Sequence, residues 1–261
     1  MADEILVEHD GQVAIVTLNR PDRMNAVHLP MIIRLGEVLA DLDGDDDVGA
    51  IILTGAGRGF CAGGDVKGMA ERAPRSFEGR VADLKRMHRV PLLIRSMPKI
   101  VIAAVNGPAA GAGFSLALAC DLRIAGESAR FSTSFAKIGL SGDFGGSYTT
   151  QRLVGPTLAR ELYITGRTVD AAEAAKIGLV GRVVPDARLM DEALATARDI
   201  AAGPRVAFGL MKRNMLAAET EPFAAVLDVE AFHQARTSST EDHAEAKRAF
   251  AEKRPPRFSG R

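Results

Sequence analysis

The sequence contains no tryptophan, only two tyrosines and only two cysteines, Cys61 and Cys120, in 261 residues. Two thiols without metal-like spacing make neither a disulfide framework nor a zinc site, so both are expected as reduced, packed side chains. An excess of one charge is also missing: Lys plus Arg and Asp plus Glu are each 33. A neutral chain has no general electrostatic attraction for nucleic acid or an anionic membrane, so any anionic ligand must meet a local basic cluster. No apolar run is long enough to span a bilayer, and the first ten residues carry acids without a long apolar stretch. A cytoplasmic protein without a membrane partner is therefore expected.

What is present is a 47% apolar composition, sufficient for a sizeable core. Residues 5–7 and 13–18 read as strands around Asp10-Gly11, and Leu29, Ile32, Ile33, Leu35, Val38, Leu39 and Leu42 recur at helical spacing over residues 28–42. A strand over 50–53, a helix over about 80–95, a strand over 100–104, a short apolar helix over 111–119 and a strand over 121–125 continue the alternation. Strands alternating with helices predict an α/β fold with a largely parallel sheet. From Gly145 onward the reading is mostly helical, over 158–165, 170–176, 186–202, 204–218, 222–237 and 240–252, with Ser/Thr capping signals at Thr237–Thr240. There is no internal repeat and no low-complexity linker.

Two glycine-rich segments stand out: Phe60-Cys61-Ala62-Gly63-Gly64-Asp65 and Asn106-Gly107-Pro108-Ala109-Ala110-Gly111-Ala112-Gly113. The run from Ile51 to Gly59 imitates the opening of a dinucleotide site. It lacks the third glycine at the right spacing and the acidic residue about twenty positions on. Neither glycine run ends in Gly-Lys-Ser/Thr, so a phosphate-cradling loop is also disfavoured. As a pair, the segments suit a different task. Gly111-Ala112-Gly113 falls where an apolar helix begins, leaving N–H groups free at the positive end of the helix dipole. Gly63-Gly64 lets a second backbone N–H turn inward, and two convergent donors can hold an oxyanion.

In order and wording these segments resemble the crotonase superfamily, the enoyl-CoA hydratase/isomerase family. The resemblance rests on Asn19-Arg20-Pro21 with Asn25-Ala26, the run Phe60 through Lys67, Ala103 through Gly107 with Gly111-Ala112-Gly113, and Ala119-Cys120-Asp121. Gly139-Leu140 with Gly145-Gly146, Gln151 through Gly155, Gly166-Arg167, Gly178-Leu179-Val180 and Phe250 through Pro255 extend it over nearly the whole chain. It implies an α/β core of stacked ββα turns, over residues 1–200 and carrying the acyl-CoA site, and a C-terminal helical trimerisation region over 201–261. It also implies a homotrimer or dimer of trimers, an acyl-CoA substrate, no metal, and no cofactor beyond the CoA moiety itself. By position, Gly64 and Ala112 would supply the oxyanion-hole N–H groups, and Ala62, Asp65 and Val66 would line the adenine, with Lys67 in the same binding set. Phe250 and Lys253 would reach the nucleotide from a neighbouring subunit. Lys247, Arg248, Lys253 and Arg254 form the local basic cluster that a phosphorylated nucleotide requires. Asp22 stands where the family often has a basic residue, a task that falls to Arg23.

The chemistry departs from that of the hydratases, which use two glutamates; their positions correspond here to Ser115 and Phe135. The remaining acid is Asp143, in Ser141-Gly142-Asp143-Phe144-Gly145-Gly146, where isomerising and dehalogenating relatives carry an aspartate. Phe135 and Phe144 are expected to desolvate it in part, which makes a carboxylate a better base. Capping of the following helix is the simpler role for it. His88 falls near the position of the catalytic histidine of the dehalogenating relatives, although a surface role among Lys85, Arg86 and Arg89 is the commoner fate of such a residue. Met69, Met87, Leu92 and Phe144 suit either an acyl pocket or the core. The favoured expectation is an enoyl-CoA double-bond isomerase using one carboxylate. The alternatives are a hydratase with an atypical site, an aromatic acyl-CoA dehalogenase or hydrolase, and a silent CoA-binding protein.

Overall fold

The computed structural model describes residues 3–66, 68 and 75–261. Strands β1 (Ile5–Asp10) and β2 (Val13–Leu18) form an antiparallel hairpin. Beyond it, β3 (Ala50–Gly55), β4 (Ile100–Val105), β6 (Leu122–Gly126) and β9 (Arg182–Val184) add in parallel, giving the order β1-β2-β3-β4-β6-β9. A second, smaller sheet joins β5 (Pro108–Ala110), β7 (Arg130–Ser132) and β8 (Val169–Asp170).

The central strands are apolar on both faces because both faces are covered, as parallel sheets demand. Ile51, Leu53, Val101 and Ala103 point into the larger core, whereas Ala50, Ile52, Ile102 and Ala104 point into a second cluster closed by Leu189, Ala193 and Ala197. Helix α1 (Leu29–Gly44) starts at His28, whose side chain accepts the Met31 N–H, and buries Ile32, Leu35, Val38, Leu39 and Leu42 of the stripe read from its spacing, with Leu29 and Ile33 half-buried at its edge. Each such fully buried aliphatic side chain contributes about 1.5–3 kcal/mol.

The helix expected over 80–95 is two helices, α2 (Phe77–Met87) and α3 (Arg89–Ser96), meeting at His88. Pro91 has no N–H to donate back across this joint. Helix α4 (Ala112–Ala119) follows β5, and every one of its residues is buried. Helix α5 (Gly146–Thr165) starts twelve residues before its expected beginning and breaks at Gly155, whose φ of 77° and ψ of 163° precede Pro156. Helices α6 (Ala171–Lys176) and α7 (Leu189–Ala201) complete the core. The chain after Gly145 is mostly helical, as its sequence reads, with the short strands β8 and β9 set among the helices. Strands of two or three residues carry no legible period; their partners define them.

Three further helices follow: α8 (Arg205–Ala218), α9 (Phe223–Ser238) and α10 (Glu241–Ala251). Thr240 caps α10 by accepting the His243 N–H at 3.1 Å. Lys212 fastens α8 to the core, since its buried Nζ donates to Ile94 O at 2.7 Å, Lys99 O at 3.0 Å and Asp121 Oδ2 at 2.7 Å.

Candidate active site

The two glycine segments lie against each other as a short ladder. Phe60 and Cys61 donate their N–H groups to Pro108 O at 3.1 Å, and Ala110 N–H returns to Cys61 O at 2.9 Å. The other edge of the first segment is held by Val27, which donates to Gly63 O at 2.8 Å and accepts from Asp65 N–H at 2.9 Å. Gly111 has φ 52° and ψ −119°, a conformation a side chain would oppose. A Cβ at Gly113 would overlap the Cys61 carbonyl, so close approach of helix and loop also requires glycine there.

This packing sets the backbone donors. The N–H groups of Gly64 and Ala112 have no hydrogen-bond partner among the described residues. A Cβ on Gly63 would lie 3.6 Å from the Ala112 nitrogen, which places the two segments side by side at the start of α4. There the helix dipole adds positive potential and α4 brings no charged side chain to oppose it. Cys61 lies beneath, where burial pushes its thiol up to about 12, so it packs as a neutral group.

Side chains that sequence reasoning had passed over hold this frame. Buried Asn25 donates to Ala56 O at 2.9 Å and Gly59 O at 2.7 Å, and Asn106 donates to Gly55 O at 2.8 Å and Gly57 O at 2.9 Å. Arg20 pairs with Asp65 at 2.9 Å, and Asp65 also accepts the Gly68 N–H at 3.0 Å. The Gly68 amide, followed by Arg20, keeps the Asp65 carboxyl below the usual carboxylate range. Its side chain is thus committed within the protein, and what it can offer a ligand is backbone. Their positions in the quoted motifs were the available signal; their partners were not.

Asp143 and His88 come together from positions 55 residues apart: His88 Nε2 meets Asp143 Oδ1. The same carboxylate oxygen accepts the Phe144 N–H at 2.9 Å, while the N-cap of α5 is Gly145, without a side-chain capping bond. Helix capping therefore does not account for Asp143. Its side chain is 23% exposed and that of His88 44%, so the pair is reachable from solvent. Phe144 is buried beneath it, edge-on to His88 with ring centroids 5.8 Å apart. Ser115 is fully buried and donates to Gly111 O at 3.2 Å. Phe135 stacks on Tyr163 and lies beside Gly111. Neither residue brings a titrating group to the site.

The expected nucleotide contacts are on the surface: Arg23, Ala62 and Val66 are exposed, and Phe250 is 88% exposed. Lys67 and Met69 fall outside the described residues. In the local basic cluster of the tail, the two arginines are partly neutralised by ion pairs. Arg254 pairs with Glu245 at 2.6 Å and with Glu252 at 2.6 Å, and Arg248 pairs with Glu245 at 2.5 Å. Glu245 and Glu252 take up these guanidinium groups, leaving Lys247 and Lys253 without an ion pair among the described residues. No group of three or more metal-ligating side chains gathers among the described residues. None of their helices is long and apolar enough to cross a membrane.

The α/β scaffold thus carries, among the described residues, two backbone N–H groups without partners on adjoining glycine segments and a solvent-reachable pair of His88 and Asp143. Residues 8–261 match the family model described as Enoyl-CoA hydratase/isomerase. The chain is 38% identical over 265 residues to the 1,2-epoxyphenylacetyl-CoA isomerase of Escherichia coli (strain K12), covering 100% of both. It is 37% identical to the short-chain-enoyl-CoA hydratase of Clostridium acetobutylicum, covering 97% of this chain and 96% of that one. The solved structure of enoyl-CoA hydratase from Bacillus anthracis superposes with a TM-score of 0.93 at 33% identity, over 99% of this chain and 100% of that one. The chain belongs to the enoyl-CoA hydratase/isomerase family, the crotonase superfamily. It has that family's stacked ββα core with a C-terminal helical region, and it is an acyl-CoA-binding enzyme.

Proposed function

We propose that this enzyme is an enoyl-CoA double-bond isomerase in which Asp143 is the single proton carrier. The observation that carries the reading is the contact of His88 Nε2 with Asp143 Oδ1, in a site whose other candidate positions, Ser115 and Phe135, cannot ionise as carboxylates. Asp143 removes a proton from the α-carbon of a 3-enoyl thioester. The C–H electron pair moves into the C1–C2 bond and the carbonyl pair onto oxygen, giving a dienolate whose oxygen lies between the Gly64 and Ala112 N–H groups; as the carbonyl re-forms, the C1–C2 pair moves into C2–C3 and the C3–C4 pair takes up a proton at C4. The protonated acid then returns the proton to the γ-carbon, leaving a 2-enoyl thioester. His88 fixes one carboxylate oxygen so that the other faces the substrate.

In this reading CoA lies along Arg23, Ala62, the Asp65 backbone, Val66 and Lys67. Phe250 and Lys253 come from a neighbouring copy in a homotrimer or dimer of trimers, as their exposed placement permits. Asp143→Asn is expected to lower turnover of 3-enoyl-CoA about 100- to 10,000-fold while acyl-CoA affinity stays within a few fold. Full turnover in that variant removes Asp143 from the mechanism, and a 3-hydroxyacyl product in the parent enzyme replaces isomerisation with hydration.

The same contact favours one second reading, hydrolytic substitution on an aromatic acyl-CoA. Asp143 would attack a ring carbon, expel its leaving group, and be released from the ester by water deprotonated at His88. Retention of solvent ¹⁸O in an aromatic product, without double-bond migration in 3-enoyl-CoA, would select it.

A further inference from the structure

Tyr163 belongs to the site's surroundings without an evident task. It projects from the second half of α5, its ring stacks on Phe135 with centroids 6.2 Å apart and planes 20° apart, and its buried hydroxyl oxygen has no hydrogen-bond partner of ordinary geometry. Burying a hydroxyl unpaired is unfavourable, which makes its surroundings informative. It faces the hydroxyls of Ser115 and Thr150; burial, with a smaller push from the Asp143 charge, raises its pKa to about 12 against the lowering effect of these two hydroxyls. Ser115 commits its proton to Gly111 O at 3.2 Å, and Thr150 commits its own to Gly146 O at 2.6 Å. Both hydroxyls therefore keep lone pairs that can accept the Tyr163 proton. A Cβ at Gly146 would collide with both Ser115 Oγ and Tyr163 Oη, so the two oxygens approach each other over a bare Cα.

The end of this line of hydroxyls is the important point. Gly111 C=O accepts from Ser115 Oγ and also from Ser115 N–H at 3.0 Å. It belongs to the same peptide unit as the Ala112 N–H. Hydrogen bonds onto an amide carbonyl polarise the whole amide and make its N–H a stronger donor.

We propose that Tyr163 and Ser115 are positioning residues of the oxyanion hole. Tyr163 O–H donates to Ser115 Oγ, whose own bond to Gly111 O polarises the Gly111–Ala112 peptide and strengthens the Ala112 N–H toward the enolate oxygen. The link tightens as negative charge develops, in the way that hydrogen bonds long in a free site shorten in the complex. No proton changes owner, so the relay stabilises the intermediate without adding a base. It rests on the assignment of Ala112 as an oxyanion donor. One such donor is worth roughly 100- to 1,000-fold in rate, and cooperative strengthening of about 10–30% makes the relay's share roughly two- to eightfold.

The test reads the oxyanion field directly, as the thioester carbonyl stretch of a bound saturated acyl-CoA that cannot isomerise. Difference infrared spectra should show a downshift on binding to the parent enzyme, a smaller one in Tyr163→Phe and the smallest in Ser115→Ala. The double variant should match Ser115→Ala, because Tyr163 acts through Ser115. With 3-enoyl-CoA, kcat in Tyr163→Phe should fall two- to eightfold with KM nearly unchanged. Tyr163→Phe keeps the ring and its stack, so lost packing would not produce this pattern. A full downshift in both single variants, or additive losses in the double variant, overturns the relay alone. No downshift in the parent enzyme overturns the oxyanion assignment and the relay with it. The expected spectral series in an enzyme that leaves 3-enoyl-CoA unchanged supports the relay while removing the isomerase reading.

Discussion

Residues 60–65 and 106–115 are wrapped by their own chain, whereas α8, α9 and α10 turn large apolar side chains outward. Phe60, Cys61, Ala109, Phe114 and Ser115 are all buried, and the charge of Asp65 is clamped by Arg20. On the C-terminal helices Met215, Phe223 and Phe232 are each more than 70% exposed. The glycine loops have a backbone shape fixed within one chain, whereas the C-terminal helices leave large apolar side chains in solvent. The two meet at a cavity of about 460 Å³ between α4 and α8, lined by Leu118, Asp121, Thr149, Arg152, Lys212 and Met215. It lies at the opposite end of α4 from the Ala112 N–H.

The largest effect is expected at Lys212, the clamp between the two regions. Burial pushes the Lys212 amine down and the Asp121 carboxyl up, and their ion pair opposes both shifts. Lys212→Met leaves Asp121 uncompensated and should lower unfolding stability by about 3–5 kcal/mol in urea titrations, with partial recovery in Lys212→Met/Asp121→Asn. Stability within 1 kcal/mol of the parent, on the scale of an exposed pair, would make the clamp dispensable. The next largest effect is expected inside the loops. Gly113→Ala forces helix and loop apart and should reduce kcat by about a hundredfold or more, the scale of one displaced oxyanion donor. An unchanged kcat would show that the loops tolerate separation.

For the outward-facing helices, Phe223→Glu/Phe232→Glu should lower the particle mass measured by sedimentation toward that of one chain, while the circular dichroism spectrum is retained. An unchanged mass would move the association surface elsewhere. The smallest effect is a dependence on pH. Arg254, then Arg248 and the Arg257 amide, hold Glu245 below its ordinary value of 4.5. A depressed folded pKa contributes stability that is present above the ordinary value and lost as pH falls from there toward the folded one. The parent's thermal midpoint should therefore drop more steeply than that of Glu245→Gln below about pH 5. Parallel curves would mean that Glu245 contributes nothing to acid sensitivity.

Long periodic segments were legible without coordinates. The stripe from Leu29 to Leu42 and the apolar runs of β3 and β4 lie where their spacing places them, because periods of 3.6 and of buried parallel strands are written locally. The joint at His88, the first half of α5 and strands β7 to β9 were not legible, since each depends on a partner far away in sequence. In the site, glycine announced the loops because a backbone in the conformation of Gly111 excludes other residues. Asp143 was legible as the remaining acid. Arg20 on Asp65, Asn25 under the loop carbonyls and Tyr163 beside Ser115 were not, because hydrogen-bonding side chains carry no local mark of their partners.

The sequence by itself determined an α/β scaffold of the enoyl-CoA hydratase/isomerase family, two glycine loops able to present N–H groups, and the absence of carboxylates at Ser115 and Phe135. Composition, period and motif order are local properties, readable one segment at a time. Only the tertiary structure decided that His88 rests on Asp143, that Asp143 does not cap α5, and that the Tyr163 hydroxyl lies against Ser115 behind the Ala112 peptide. Those facts are distances between residues remote in the chain, fixed by how the sheet, α4 and α5 pack together.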